Sequence, residues 1–207
     1  MQRRDLLATL GGIGAVGLAG CLNRGAAGTS RSRHVSIVNQ DSIAEDHEIR
    51  IHAEVLDSTI TDAHPATLRI STTNEGPKRA ISVRAGHCDL FNRGRGGSDE
   101  PSGLWLYRAE ITDSMDRKGN RWVPDRSPDQ HRAYATYGCI PMEYEPGESI
   151  RTEYEVWDDY QVSGYLQPGT YRWEEDIHIW EDATVTAGNP SKTTISWGFS
   201  LAVEKPD

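Results

Sequence analysis

Lysine is scarce in this 207-residue chain: four lysines stand against eighteen arginines, and 31 acidic residues outweigh the 22 basic ones to leave a formal charge of −9. A surface of that sign lacks the clustered Lys and Arg that phosphate contacts need, which excludes a nucleic-acid partner. The one local basic spot, Arg93-Gly94-Arg95, reads as a solvated Gly-rich loop. Long apolar runs are missing too. The stretch from Leu6 to Ala19 has 14 residues, short of the ~20 that a membrane-spanning helix needs. Cysteines number three, and no C-x-x-C-H string offers a c-type haem site. Met142 lies near Cys139, but no His follows that cysteine closely, as a blue-copper site requires. No G-x-S-x-G elbow is present, and Ser98, Ser102 and Ser149 have no His and Asp that spacing could place beside them. The sequence therefore carries no catalytic constellation and implies no cofactor.

What is there begins at the N-terminus. Arg3-Arg4 precede the apolar stretch, whose Gly11, Gly12, Gly14 and Gly17 would weaken a permanent helix, and Leu18-Ala19-Gly20-Cys21 follows. Residues 1–21 read as a signal peptide ending in a lipobox, with the Cys21 thiol as the nucleophile that accepts lipid. Arg3-Arg4-Asp5-Leu6-Leu7 resembles the R-R-x-hydrophobic-hydrophobic core of twin-arginine lipoprotein signals, with Gln2 where Ser or Thr is usual. That resemblance implies a domain folded before export and then lipid-anchored on the extracytoplasmic face of the cell membrane. An acidic, lysine-poor exported lipoprotein of this kind resembles those of haloarchaea, where acidic surfaces stay soluble at high salt. Residues 22–33, small and polar with no apolar period, read as a flexible tether.

With Cys21 assigned to lipid, Cys88 and Cys139 remain as a pair in an oxidising compartment, and a structural disulfide is expected. Their separation of 51 residues corresponds to about 4 kcal/mol in the loop-entropy treatment.

Residues 34–207 read as one all-β domain, an immunoglobulin-like antiparallel β-sandwich with long loop insertions. Period-two alternation is clearest in Ile49-Ile51-Ala53-Val55, in Ala66-Leu68-Ile70, in Tyr171-Trp173-Ile177-Ile179 and in Ile195-Trp197-Phe199-Leu201-Val203, each giving a strand one buried face. Weaker strands are expected at Ala80 to Val83, Leu104 to Ile111, Ala133 to Ile140 and Ile150 to Trp157. Asn74-Glu75-Gly76-Pro77, Glu145-Pro146-Gly147-Glu148, Gln167-Pro168-Gly169-Thr170 and Gly188-Asn189-Pro190 supply the turns. The Gly- and Pro-rich stretch from Asn92 to Arg132 supplies the insertions. Over residues 145–171, Pro146-Gly147-Glu148-Ser149, then Trp157, then Leu166-Gln167-Pro168-Gly169-Thr170-Tyr171 resembles the P-G-E-S … W … L-x-P-G-T-Y pattern of small immunoglobulin-like domains. The bacterial intracellular proteinase inhibitor family is among these. The resemblance implies a strand–turn–strand unit of the sandwich, and no inhibitory loop can be matched.

Candidate chemistry is sparse. Glu174, Asp176 and His178 share the outward face of one strand, so a carboxylate–imidazole cluster is geometrically possible there. The acidic runs Glu174-Glu175-Asp176 and Asp158-Asp159 read as solvated surface rather than a glycosidase pair. Trp173, Trp197 and Phe199 fall on inward faces and read as core. Trp105, Tyr107, Trp122, Trp157 and Trp180 fall near strand ends or loops, where an exposed ring could stack on a sugar or anchor a protein partner. The expected function is a non-enzymatic, membrane-tethered binding or protein-interaction module with a cell-surface protein partner. Its expected contact surface is the loop from Asn92 to Gly103 together with Trp105, Tyr107 and Trp122. The alternative is a surface hydrolase or metal-dependent enzyme, centred on Asp176 and His178.

Overall fold

The computed structural model describes residues 32–83, 88–133, 142–183 and 193–206. Ten strands and one short helix are found among them: β1 (Arg33–Gln40), β2 (Ile49–Asp57), β3 (Thr59–Ile60), β4 (Ala66–Asn74), β5 (Arg79–Ile81), β6 (Leu104–Arg108), α1 (Ala109–Thr112), β7 (Met142–Tyr144), β8 (Ser149–Asp158), β9 (Gly169–Trp180) and β10 (Thr193–Glu204). They form an all-β sandwich of two antiparallel sheets. One has six strands in the order β3-β1-β10-β9-β5-β7, and the other four, in the order β2-β4-β8-β6.

The four alternating sets become β2, β4, β9 and β10. Ile49, Ile51, Ala53, Leu68 and Ile70 from one sheet meet Tyr171, Trp173, Ile177, Trp197 and Phe199 from the other, all buried. Trp173 and Phe199, paired in the β9–β10 register, stack with centroids 5.3 Å apart. Gly198 makes that register possible, because a Cβ there would fall 2.2 Å from the Trp173 carbonyl oxygen. The turns at Asn74 and at Glu145 to Glu148 are locked together: Gly147, with φ +76°, donates its N–H to the Asn74 carbonyl at 2.8 Å.

One expectation is adjusted. The strand expected from Leu104 to Ile111 stops at Arg108, and α1 takes over. Ala109 and Glu110 are good helix formers, and the Thr112 hydroxyl donates back to the Ala109 carbonyl at 2.8 Å. The strands β1, β3 and β7 carry too little alternation, or are too short, to read from the chain. The signal and the tether up to Arg31, Cys21, Cys139, nearly all of the strand expected from Ala133 to Ile140 and the turn at Gly188 lie outside the described residues.

Candidate functional site

Alternation in β6 sends Leu104 and Leu106 into the sandwich and Trp105 and Tyr107 to the outer face of the four-stranded sheet. In β8 the same rule sends Tyr154 and Val156 inward and Trp157 outward, and Trp105 and Trp157 are register partners. Three large aromatics thus share an outer face that alternation alone would leave in water. The segment 109–133 covers them. Trp122 is its anchor: the indole N–H donates to the Thr61 carbonyl at 2.6 Å and the backbone N–H to the Tyr165 hydroxyl at 3.0 Å, while the ring meets Trp157 edge-on at 5.5 Å.

Arginines close the ring faces. The Arg117 guanidinium lies 3.8 Å from the centre of the Trp122 ring, Arg132 lies 3.6 Å from Trp105 and 4.4 Å from Tyr160, and Arg121 lies 5.2 Å from Tyr165. Within ~6 Å a cation over an aromatic face is held by the ring quadrupole. Arg132 is further fixed by hydrogen bonds to Asp159 and Gln161, and the Tyr160 hydroxyl donates to the Gln130 carbonyl at 2.8 Å.

This corrects the expected aromatic contact surface. Trp105 and Trp122 are 6% and 8% exposed, Trp157 is fully buried and Trp180 is buried. Their burial, with guanidinium groups over Trp105 and Trp122, leaves no ring face for a sugar. Tyr107 stays half-buried, edge-on to Trp157 at 5.4 Å.

The loop from Asn92 to Gly103 is stitched down. Leu106 N–H donates to the Gly96 carbonyl at 2.7 Å, Ser98 N–H to Leu104 at 3.0 Å, Asp99 N–H to Arg172 at 2.8 Å and the Trp173 indole to Gly96 at 3.0 Å. The segment joins β6 of one sheet to β9 of the other. Glycine is needed here, since a Cβ at Gly96 would sit 2.6 Å from the Leu106 carbonyl and one at Gly97 2.7 Å from the Trp105 ring.

The acidic runs are likewise not all solvated. Asp158 points inward, accepts the Leu166 N–H at 2.7 Å, and is 6% exposed. Burial pushes its carboxyl up to about 7 against the opposing pull of the Leu166 N–H, with Asp159 raising it further. Glu175 faces the interior side of β9, where burial raises its pKa and Arg95 pairs with it at 3.1 Å. A third carboxylate escaped the sequence reading: Asp89, 1% exposed, pairs with Arg108 at 2.8 Å and accepts the Thr152 hydroxyl at 2.8 Å. The available signal was parity, because Arg108 follows Leu104 and Leu106 on the inward side of β6 and a buried guanidinium needs a carboxylate.

The expected carboxylate–imidazole cluster does not converge. Glu174 is tied to Arg172 at 2.6 Å and accepts from Ser196, while the His178 ring nitrogen lies 2.9 Å from the Thr194 hydroxyl. Among the described residues no three His, Cys, Asp or Glu side chains come together in a metal-sized group.

No family model, curated protein or solved structure matches the chain. The site is therefore read from its own chemistry: a small second core of rings and guanidiniums that holds a long, irregular segment in one arrangement.

Proposed function

We propose that this protein is a non-enzymatic interaction module, exported by the twin-arginine route and tethered through lipid on Cys21 to the outer face of the cell membrane, where it binds another surface protein. An immunoglobulin-like connectivity and a Cys88–Cys139 disulfide belong to the same reading. In support of the latter, Cys88 is buried and is not a free thiol. The observation that carries the binding role is the segment 109–133. It is mostly irregular, yet Trp122 and the stacked arginines fix its inner side, while Asp116, Lys118, Asp125 and Arg126 remain exposed. A loop pre-ordered in this way loses little conformational freedom on binding, which is how affinity is gained without a large surface.

Photo-crosslinking amino acids at Lys118 and Asp125, compared with Asp176 on the far sheet, test this in intact cells. The lobe positions are expected to give one discrete adduct that Asp176 does not. Equal yields from all three positions, or none from any, would remove the lobe as the contact surface.

A further inference from the structure

β2 is an edge of the four-stranded sheet. Its Ile49, Ile51 and Ala53 side chains are buried, whereas Arg50 and His52 are exposed and Glu54 is half-exposed. The Ala53 N–H points away from β4, toward the open side, where Gln40 Oε1 accepts it at 3.1 Å. Backbone groups alternate along an antiparallel strand, so Ile49, Ile51 and Val55 present theirs to that same side. Among the described residues, Gln40 alone bonds to this open edge. A register shift between Val55 and Asp57 guards its far end, and among the described residues the backbone groups of Ile49, Ile51 and Val55 are left to pair with another strand.

The outer face shows what fits it. Glu153, Arg69 and Glu54 lie opposite one another across β8, β4 and β2, and Arg69 bonds both acids, at 2.7 and 3.0 Å. This cross-strand row alternates in charge and stops at the open edge on a carboxylate. The cation that would continue it is on the same strand face, at Arg50, which within its own copy holds the exposed Glu75 at 2.9 Å and would exchange that pairing for the second copy's Glu54.

We propose that a second copy of this chain pairs with β2, edge to edge and antiparallel, about a twofold axis at His52, joining two four-stranded sheets into one of eight. In this register each Arg50 faces the second copy's Glu54, and the row runs on as Glu153, Arg69, Glu54, Arg50 in both directions. Ile51 and the second copy's Ala53 exchange backbone hydrogen bonds, so the N–H that Gln40 releases is bonded again. Leu56, 41% exposed, arrives opposite the second copy's Glu48, beside a groove lined by Ile43 and Ile49. Neighbouring registers do worse: an axis at Ile51 sets Glu54 against Glu48, and one at Ala53 sets Arg50 against Leu56. This contact rests on neither the lipid anchor nor the 109–133 lobe.

The test uses the full-length protein. Since the His52 backbone groups face β4, the two His52 residues form a non-hydrogen-bonded pair whose Cβ atoms lie about 5 Å apart, close enough for an H52C disulfide. H52C is expected to give a covalent dimer under mild oxidation, R50C and E54C alone little, and a mixture of R50C with E54C a mixed dimer. Sedimentation is expected to show wild-type dimer strengthening as salt screens the net charge of −9 on each copy. R50E and E54R each place two like-charged pairs at the edge, a loss of about tenfold in dimer affinity, and mixing the two restores it because both pairs are then opposite in sign. Circular dichroism of each variant establishes that the fold is kept. A monomeric wild type at high salt, R50E and E54R that each dimerise like wild type, or H52C joined to a different polypeptide rather than to itself would overturn the proposal.

Discussion

Replacing Asp158 with asparagine should stabilise this protein, and the gain should depend on pH. Burial raises the Asp158 carboxyl from 3.8 to about 7, so between those values the folded state binds a proton that the unfolded state has released. Stability is therefore fully present near pH 4 and is lost as pH rises toward 7. At 1.36 kcal/mol per pKa unit the whole rise corresponds to roughly 4 kcal/mol. Asn keeps an oxygen for the Leu166 N–H and carries no charge, so D158N should exceed wild type by about 3 kcal/mol near pH 8 and match it near pH 4. Urea unfolding of both proteins at the two pH values, at fixed high salt, measures this. Asp159 is the internal control. Its carboxylate holds Arg132, whose side chain is 11% exposed, so D159N should lose stability near pH 8, where D158N gains it. A D158N gain that is the same at both pH values, or a loss near pH 8, would show that the folded chain does not keep this carboxyl protonated.

Two further outcomes follow. W122A should cost about 3 kcal/mol or more and, before global unfolding, should open the 109–133 segment to a protease at Lys118 or Arg121. Cleavage no faster than in wild type would mean that the lobe is held by something other than the Trp122 anchor. C21S should lack the lipid mass and leave the membrane fraction for the soluble one. A variant that stays with membranes after high-salt and carbonate washing would count against the anchor.

The core strands were legible because one buried face forces a period of two. Ile49 to Val55, Ala66 to Ile70, Tyr171 to Ile179 and Ile195 to Val203 all kept that pattern in the fold. Glu175 was legible by the same rule, since it occupies the inward parity between Trp173 and Ile177, but the acidic neighbours Glu174 and Asp176 disguised it as surface. Asp158 and Asp159 misled in a related way: adjacent residues at a strand end face opposite sides, so an acidic pair in sequence met two different environments. The aromatic site was misread for another reason. Alternation separates two faces of a strand but says nothing about a second layer over the outer one, and here Trp122 and Arg132 fold back over Trp157 and Trp105. The arginine caps came from Arg117, Arg121 and Arg132, inside a segment whose Gly and Pro content signalled only a loop.

That covering layer changes what trimming would do. Long irregular insertions are usually the first segments removed when a domain is made smaller, on the expectation that a short linker is harmless. Here, excising residues 109–133 would bare Trp105, Tyr107 and Trp157 on the outer face of the four-stranded sheet, a wet aromatic patch. The shortened domain should therefore be less soluble than its parent. Engineering of this scaffold would do better to diversify the exposed side chains of the insertion and leave Arg117, Trp122 and Arg132 in place.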